Sequence, residues 1–221
     1  MNCYICLCDG KPNFVIATPP FEMKSEVKES EVRAQIIEKA AQLFQIFGYK
    51  KLVMEDIARA IGKSRTSLYF YYKDKDAIFN AIIQREIKKY LDALAADLPR
   101  HNSATEKLKA YFDIKFDFRY AKTVEYPVMS KEYDMYPELL PRMRVISDPP
   151  EIAHLTAILQ EGVANGEFVK LDEESIELTV KMLISSLHGI ANDLLADVEH
   201  VNVRKVKQLL SEMFVKSLSS R

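Results

Sequence analysis

Two short stretches with apolar residues at helical spacing, Met54 to Ile61 and Arg65 to Tyr71, meet across Gly62-Lys63-Ser64. That junction constrains the fold more than any other feature. Ile57, Ala58 and Ile61 lie on one face of the first stretch, and Ser64 is placed to cap the second. Ala58 must be small for the helices to approach, Gly62 must accept a positive φ, and Leu68 must plug the angle between them. The expected unit is a helix-turn-helix.

The flanking chain reads as helix throughout. Upstream, Val32, Ile36, Ala40, Leu43, Phe44 and Phe47 recur every three or four residues, with Ser30 as the expected N-cap and Gly48 as the C-cap. Downstream, Asp74 opens a long helix reaching about Leu94, and another starts near Thr105. Between Tyr126 and Pro150 five prolines leave room only for short helical pieces. Regular helices return at 151–165, 173–198 and 203–218. Six glycines in 221 residues and no strand-like alternation argue against a sandwich or barrel. The fold class is therefore all-α: an N-terminal three-helix helix-turn-helix domain over residues 30–76 and a C-terminal helical domain over 77–221. Residues 1–29 read as a disordered tail or a misassigned start, with no signal peptide and no transmembrane span.

Charge is unevenly distributed, although the whole chain carries only −1. Residues 31–90 hold twelve Lys/Arg against seven Asp/Glu, a net +5, and residues 91–221 hold sixteen against twenty-one, a net −5. A basic module beside an acidic remainder suits phosphate binding at one end. Cys3, Cys6 and Cys8 all precede the helical part, which excludes structural disulfides there and fits a cytoplasmic protein. No cofactor is expected and no metal site. Glu151-Ile152-Ala153-His154 has the Glu-x-x-His spacing of di-iron bundles, but a second motif and two further glutamates are missing among only four histidines. Neither a Gly-rich phosphate loop nor a Ser-His-Asp or cysteine nucleophile pattern points to an enzyme.

Residues 48–78 resemble the DNA-binding signature of the TetR family of bacterial transcriptional regulators, carried by Ile57-Ala58, Gly62-Lys63-Ser64, Leu68-Tyr69, Tyr72 and Lys75-Asp76. Asn165-Gly166-Glu167-Phe168 also looks like that family's usual end of its seventh helix. Leu52 and Val53 stand where the family has a threonine, and Ile61, Lys63, Thr66 and Tyr72 also depart from the common pattern.

The resemblance implies a homodimeric transcriptional regulator, a repressor released from a palindromic double-stranded operator by a small-molecule effector. Lys63, Ser64, Arg65, Thr66, Ser67, Tyr69, Tyr71, Lys73 and Lys75 are the implied DNA contacts. Arg65, Thr66 and Ser67 would face base edges while Tyr69, Tyr71, Lys73 and Lys75 hold phosphates. Phe70 and Tyr72 are read as core aromatics. The effector pocket is expected around Tyr111, Phe112, Phe116, Tyr120, Met129, Tyr133, His154 and His188, although aromatic residues at helical spacing are more often plain core. Ile184, Leu187, Ile190, Leu194, Leu210 and Phe214, on the last two helices, are expected at the dimer interface. A helical protein that binds another protein rather than DNA, and an activator or ligand-independent regulator, remain open on the residues alone.

Overall fold

A computed structural model of the chain describes residues 7–8, 11–12, 20–128, 132, 139–194 and 202–220. Apart from a two-residue antiparallel ladder, β1 (Leu7–Cys8) with β2 (Lys11–Pro12), the elements described are helical. They run α1 (Pro20–Lys51), α2 (Met54–Ala60), α3 (Arg65–Tyr71), α4 (Lys75–Asp97), a 3-10 turn at Leu98–Arg100, α5 (Ala104–Glu125), α6 (Leu139–Ala164), α7 (Glu173–Leu194) and α8 (Val203–Leu218).

Helix α1 starts ten residues before Ser30, which lies inside it with its hydroxyl donating back to the Val27 carbonyl at 2.7 Å. Residues 20–29 thus belong to a helix, contrary to the tail expected from the sequence. Proline is tolerated in a first turn, and the Glu, Lys and Met that follow are good helix formers. The helix breaks at Gly48, where φ is 74°. The positive φ is what favours glycine here; a Cβ would also come within 2.7 Å of the Glu132 carboxylate and push that side chain aside.

The caps are local and match their residues. Ser64 Oγ accepts from Ser67 N at 3.1 Å, Asp74 Oδ1 from Ala77 N at 2.7 Å, Ser103 Oγ from Glu106 N at 3.1 Å and Asn202 Oδ1 from Lys205 N at 3.0 Å. Each such cap stabilises its helix by about 1 kcal/mol. Gly62 adopts φ 66°, as the turn between α2 and α3 demands.

Helix α6 departs from the expectation of short pieces before Glu151, because it continues upstream through Pro149 and Pro150 to Leu139. Two prolines remove two donors from its hydrogen-bond ladder. Burial of Leu155, Ile158 and Leu159 on the following turns anchors it against the C-terminal core.

Two cores result. The N-terminal one gathers Ile36, Ala40, Phe44, Leu52, Ile57, Ala58 and Leu68, and the C-terminal one gathers Leu94, Leu108, Tyr111, Phe112, Phe116, Phe168 and Val180. Helix α4 serves both, with Ile78, Phe79, Ile82 and Ile83 in the first and Tyr90 and Leu94 in the second. It is a shared shaft rather than a linker. The turn after α6 is fixed by Phe168, buried so close to Gly162 that a Cβ there would fall 2.1 Å from its ring. The neighbouring Glu167 carboxylate accepts from Ala104 N at 2.9 Å and Thr105 N at 3.0 Å, closing the start of α5.

Candidate functional site

Helix α3 turns one arc to solvent and the other to the N-terminal core. At about 100° per residue, Arg65, Tyr69, Thr66 and Phe70 follow one another around the outer arc. All four are exposed, whereas Leu68 is fully buried. Lys63 and Ser67 are partly exposed beside this arc, and Ser64 is exposed with its hydroxyl committed to the cap. Arg65 forms an ion pair with Glu55 of α2, hydrogen-bonds the Tyr69 hydroxyl at 3.3 Å, and lies 5.5 Å from the centre of that ring. An intramolecular carboxylate thus holds the guanidinium at the surface.

Two of the residues expected on this face, Lys75 and Tyr71, are placed otherwise. Lys75 donates to the carbonyls of Tyr49 at 2.7 Å and Leu52 at 2.9 Å, and its ammonium lies 4.4 Å from the Tyr49 ring centre. It closes the end of α1 instead of reaching outward, and burial draws its pKa down. Tyr71 is half-buried against the core; its carbonyl accepts from Arg33 Nη1 at 2.6 Å, and the same guanidinium lies 5.8 Å from its ring centre. Phe70, read from the sequence as core, is 73% exposed. Its partner in that reading, Tyr72, does pack on the core, because it lies two residues beyond on the inner side of the helix. Lys73 is well exposed at the end of α3.

In the C-terminal half, Tyr111, Phe112 and Phe116 are solidly buried. What unites this region is a carboxylate. Glu151 of α6 is completely buried and accepts from Tyr90 of α4 at 2.9 Å, Tyr111 of α5 at 2.5 Å and Lys115 Nζ at 2.7 Å. Burial alone would raise its pKa, but the Lys115 charge and the hydrogen bonds from Lys115, Tyr111 and Tyr90 carry it below the ordinary carboxylate value. Burial, then the Glu151 charge, pushes the Tyr90 phenol up. Asp148, one turn earlier, lies 3.5 Å from His188 Nε2 of α7, and burial lowers the His188 pKa, which keeps the ring neutral at pH 7.

Asp148, Glu151 and His188 bring ligand-type atoms within 4.8 Å of one another. The Glu151 oxygens are already occupied by an ammonium and two hydroxyls, so Glu151 belongs to an internal hydrogen-bond and ion-pair network. His154 is half-buried with Nδ1 2.8 Å from the Pro150 carbonyl. Tyr120, expected at a pocket, is 41% exposed on α5. Met129 and Tyr133 lie outside the described residues.

The expected dimer residues divide similarly. Ile184 and Leu187 are buried in their own protomer's core, so α7 turns a different face outward than the sequence suggested. Ile190, Leu210 and Phe214 are half-buried against that core, and the Leu194 side chain lies outside the described residues. The apolar residues that α7 and α8 expose are Leu178, Met182, Leu209 and Met213.

Residues 36–82 match the model of the family described as bacterial regulatory proteins, tetR family. Over this segment the chain is similar to the tetR family. The matched segment spans the end of α1, the whole helix-turn-helix and the start of α4. Similar proteins include the HTH-type transcriptional repressor Rv1474c of Mycobacterium tuberculosis, 33% identical over 57 residues, 26% of this chain and 30% of that protein. The HTH-type transcriptional activator FasR of Mycolicibacterium smegmatis is 22% identical over 125 residues, 56% of this chain and 57% of that one. The chain thus spans less than two thirds of either relative. The same fold occurs in the transcriptional regulator FadR of Bacillus subtilis in complex with stearoyl-CoA, with a TM-score of 0.67 at 20% identity, covering 84% of this chain and 98% of that one. No helix among the described residues is long and apolar enough to cross a membrane.

Four residues that organise these regions carried no sequence signal for the roles they play: Arg33, Glu55, Glu132 and Glu151. Each acts through a partner on another helix or turn. Glu132 is the clearest case, its buried carboxylate accepting from Tyr49 N at 2.5 Å and Lys50 N at 3.1 Å just beyond the Gly48 break.

Proposed function

We propose that the protein is a homodimeric, cytoplasmic transcriptional repressor that binds a palindromic DNA operator through α3 and is released by a small molecule held in its C-terminal half. The observation that carries the DNA reading is the outer arc of α3. Arg65, Thr66 and Tyr69 stand exposed on a capped helix whose opposite side is locked by Leu68 and Arg33. Such a helix fits a major groove, with Arg65 gripping a guanine and Lys63, Ser67, Tyr69 and Lys73 near the backbone. The exposed Leu178, Met182, Leu209 and Met213 supply the surface for a second copy, whose two-fold axis places two α3 helices on successive half-sites.

Release is supported by the way the halves are joined. Helix α4 is common to both cores, Tyr126 at the end of α5 is buried in the N-terminal core, and Glu132 holds the turn that ends α1. An effector that favours a different setting of α4 and α5 would shift α3 with it, by its difference in affinity for the two states. Stearoyl-CoA, bound by the Bacillus subtilis relative, is the first compound to try.

The test is selection of bound sequences from a random duplex pool at fixed salt, with the wild type and Arg65→Ala. The expected result is a palindrome from the wild type, with preference at one guanine per half-site lost in the variant and affinity for that site lowered about 5- to 150-fold. Absence of enrichment would reject the reading.

A further inference from the structure

We propose that Phe70 is a base-reading residue that packs on the 5-methyl group of a thymine in each half-site, which makes it a determinant of operator specificity; this rests on the DNA reading of α3. Isolated exposed apolar side chains are ordinary on protein surfaces. What distinguishes Phe70 is its place and its support. It is the most exposed aromatic residue on α3 and neighbours Thr66 on the same outer arc as Arg65.

Its ring does not hang free. It meets Tyr71 edge-to-face, with centroids 5.2 Å apart and planes at 87°. Tyr71 is in turn half-buried, with its carbonyl bound by Arg33 from α1 and its ring beneath that guanidinium. The ring is therefore held in place before any partner arrives, which lowers the ordering cost of a contact.

The chemistry of the partner follows from the groove. Base edges in the major groove present hydrogen-bond donors and acceptors, with one apolar feature, the thymine methyl. A phenyl ring offers no hydrogen bond, and beside a guanine or cytosine edge it would strip water from polar atoms without replacing it. Beside a thymine it buries a methyl group. Thr66, one turn earlier, carries a methyl and a hydroxyl on the same side and completes a mixed surface next to the Arg65 contact.

The experiment uses the palindrome selected above, with each thymine replaced in turn by uracil, which removes the methyl and leaves the pairing intact. Wild-type protein is expected to lose about fourfold in affinity per half-site at one thymine position, and Phe70→Ala to bind thymine and uracil duplexes equally there. Because Phe70 is exposed, the variant keeps its fold, checked by an unchanged melting temperature, and its dependence on salt stays that of the wild type. Equal uracil sensitivity in wild type and variant, or no sensitivity at any thymine in the wild type, would overturn the assignment while leaving the DNA reading intact. Failure to select any palindrome would remove both.

Discussion

Glu151 shows how much a single residue can be asked to hold. Its carboxylate joins α4, α5 and α6 with no exposure to solvent, and each of its partners would be costly to bury alone. Glu151→Gln leaves the Lys115 ammonium buried without a counter-charge and is expected to destabilise the protein by about 3–5 kcal/mol. Thermal denaturation reads this as a fall of roughly 2–4 °C per kcal/mol. Replacing both charges, Glu151→Leu with Lys115→Met, should cost less, because no charge is stranded and only the Tyr90 and Tyr111 hydroxyls lose their acceptor. Acid titration separates the cause further. The folded carboxyl titrates below the unfolded one, so its contribution is complete above about pH 4.3 and is lost as pH falls through the folded value. The Glu151→Gln variant should lack that acid-side loss. Glu151 appears in the sequence only as part of a Glu-x-x-His spacing, and its real partners stand 36, 40 and 61 residues away. No periodicity connects them.

At the level of elements, the sequence reveals what is local. Gly62, Ser64 and Asp74 adopt the roles their chemistry dictates, because a positive φ and a cap depend on neighbours within three residues. Which face of a helix points inward is less legible. Ile184, Leu187, Met182 and Leu178 are all apolar on one helix, and only packing, chiefly against α6, decides that the first two are core and the others are not. Phe70 and Lys75 were misread for the same reason: a ring reads as core and a lysine as solvated unless the neighbouring element is known. The outward face of α7 and α8 gives a prediction of its own. Met182 and Met213 are 69% and 66% exposed, so Met182→Glu with Met213→Glu should preserve the helical circular-dichroism signal. The same double variant should convert a dimer of 25.4 kDa chains to monomers in sedimentation. An unchanged dimer would place the interface elsewhere.

In the whole molecule, two cores share one helix, α4. The DNA-facing half carries its excess of positive charge on a small unit, while the acidic remainder holds the hub around Glu151 and the outward apolar face. On the proposed reading, affinity for DNA comes from one end of each protomer and from two protomers at once. The most direct measurement is a titration of the purified protein onto its selected palindrome across a series of salt concentrations, with a scrambled duplex alongside. The account predicts two chains per duplex and a log-linear fall of affinity with salt for both duplexes. It also predicts a preference for the palindrome of about a thousandfold or more. Equal binding to the two duplexes, or one chain per palindrome, would contradict it.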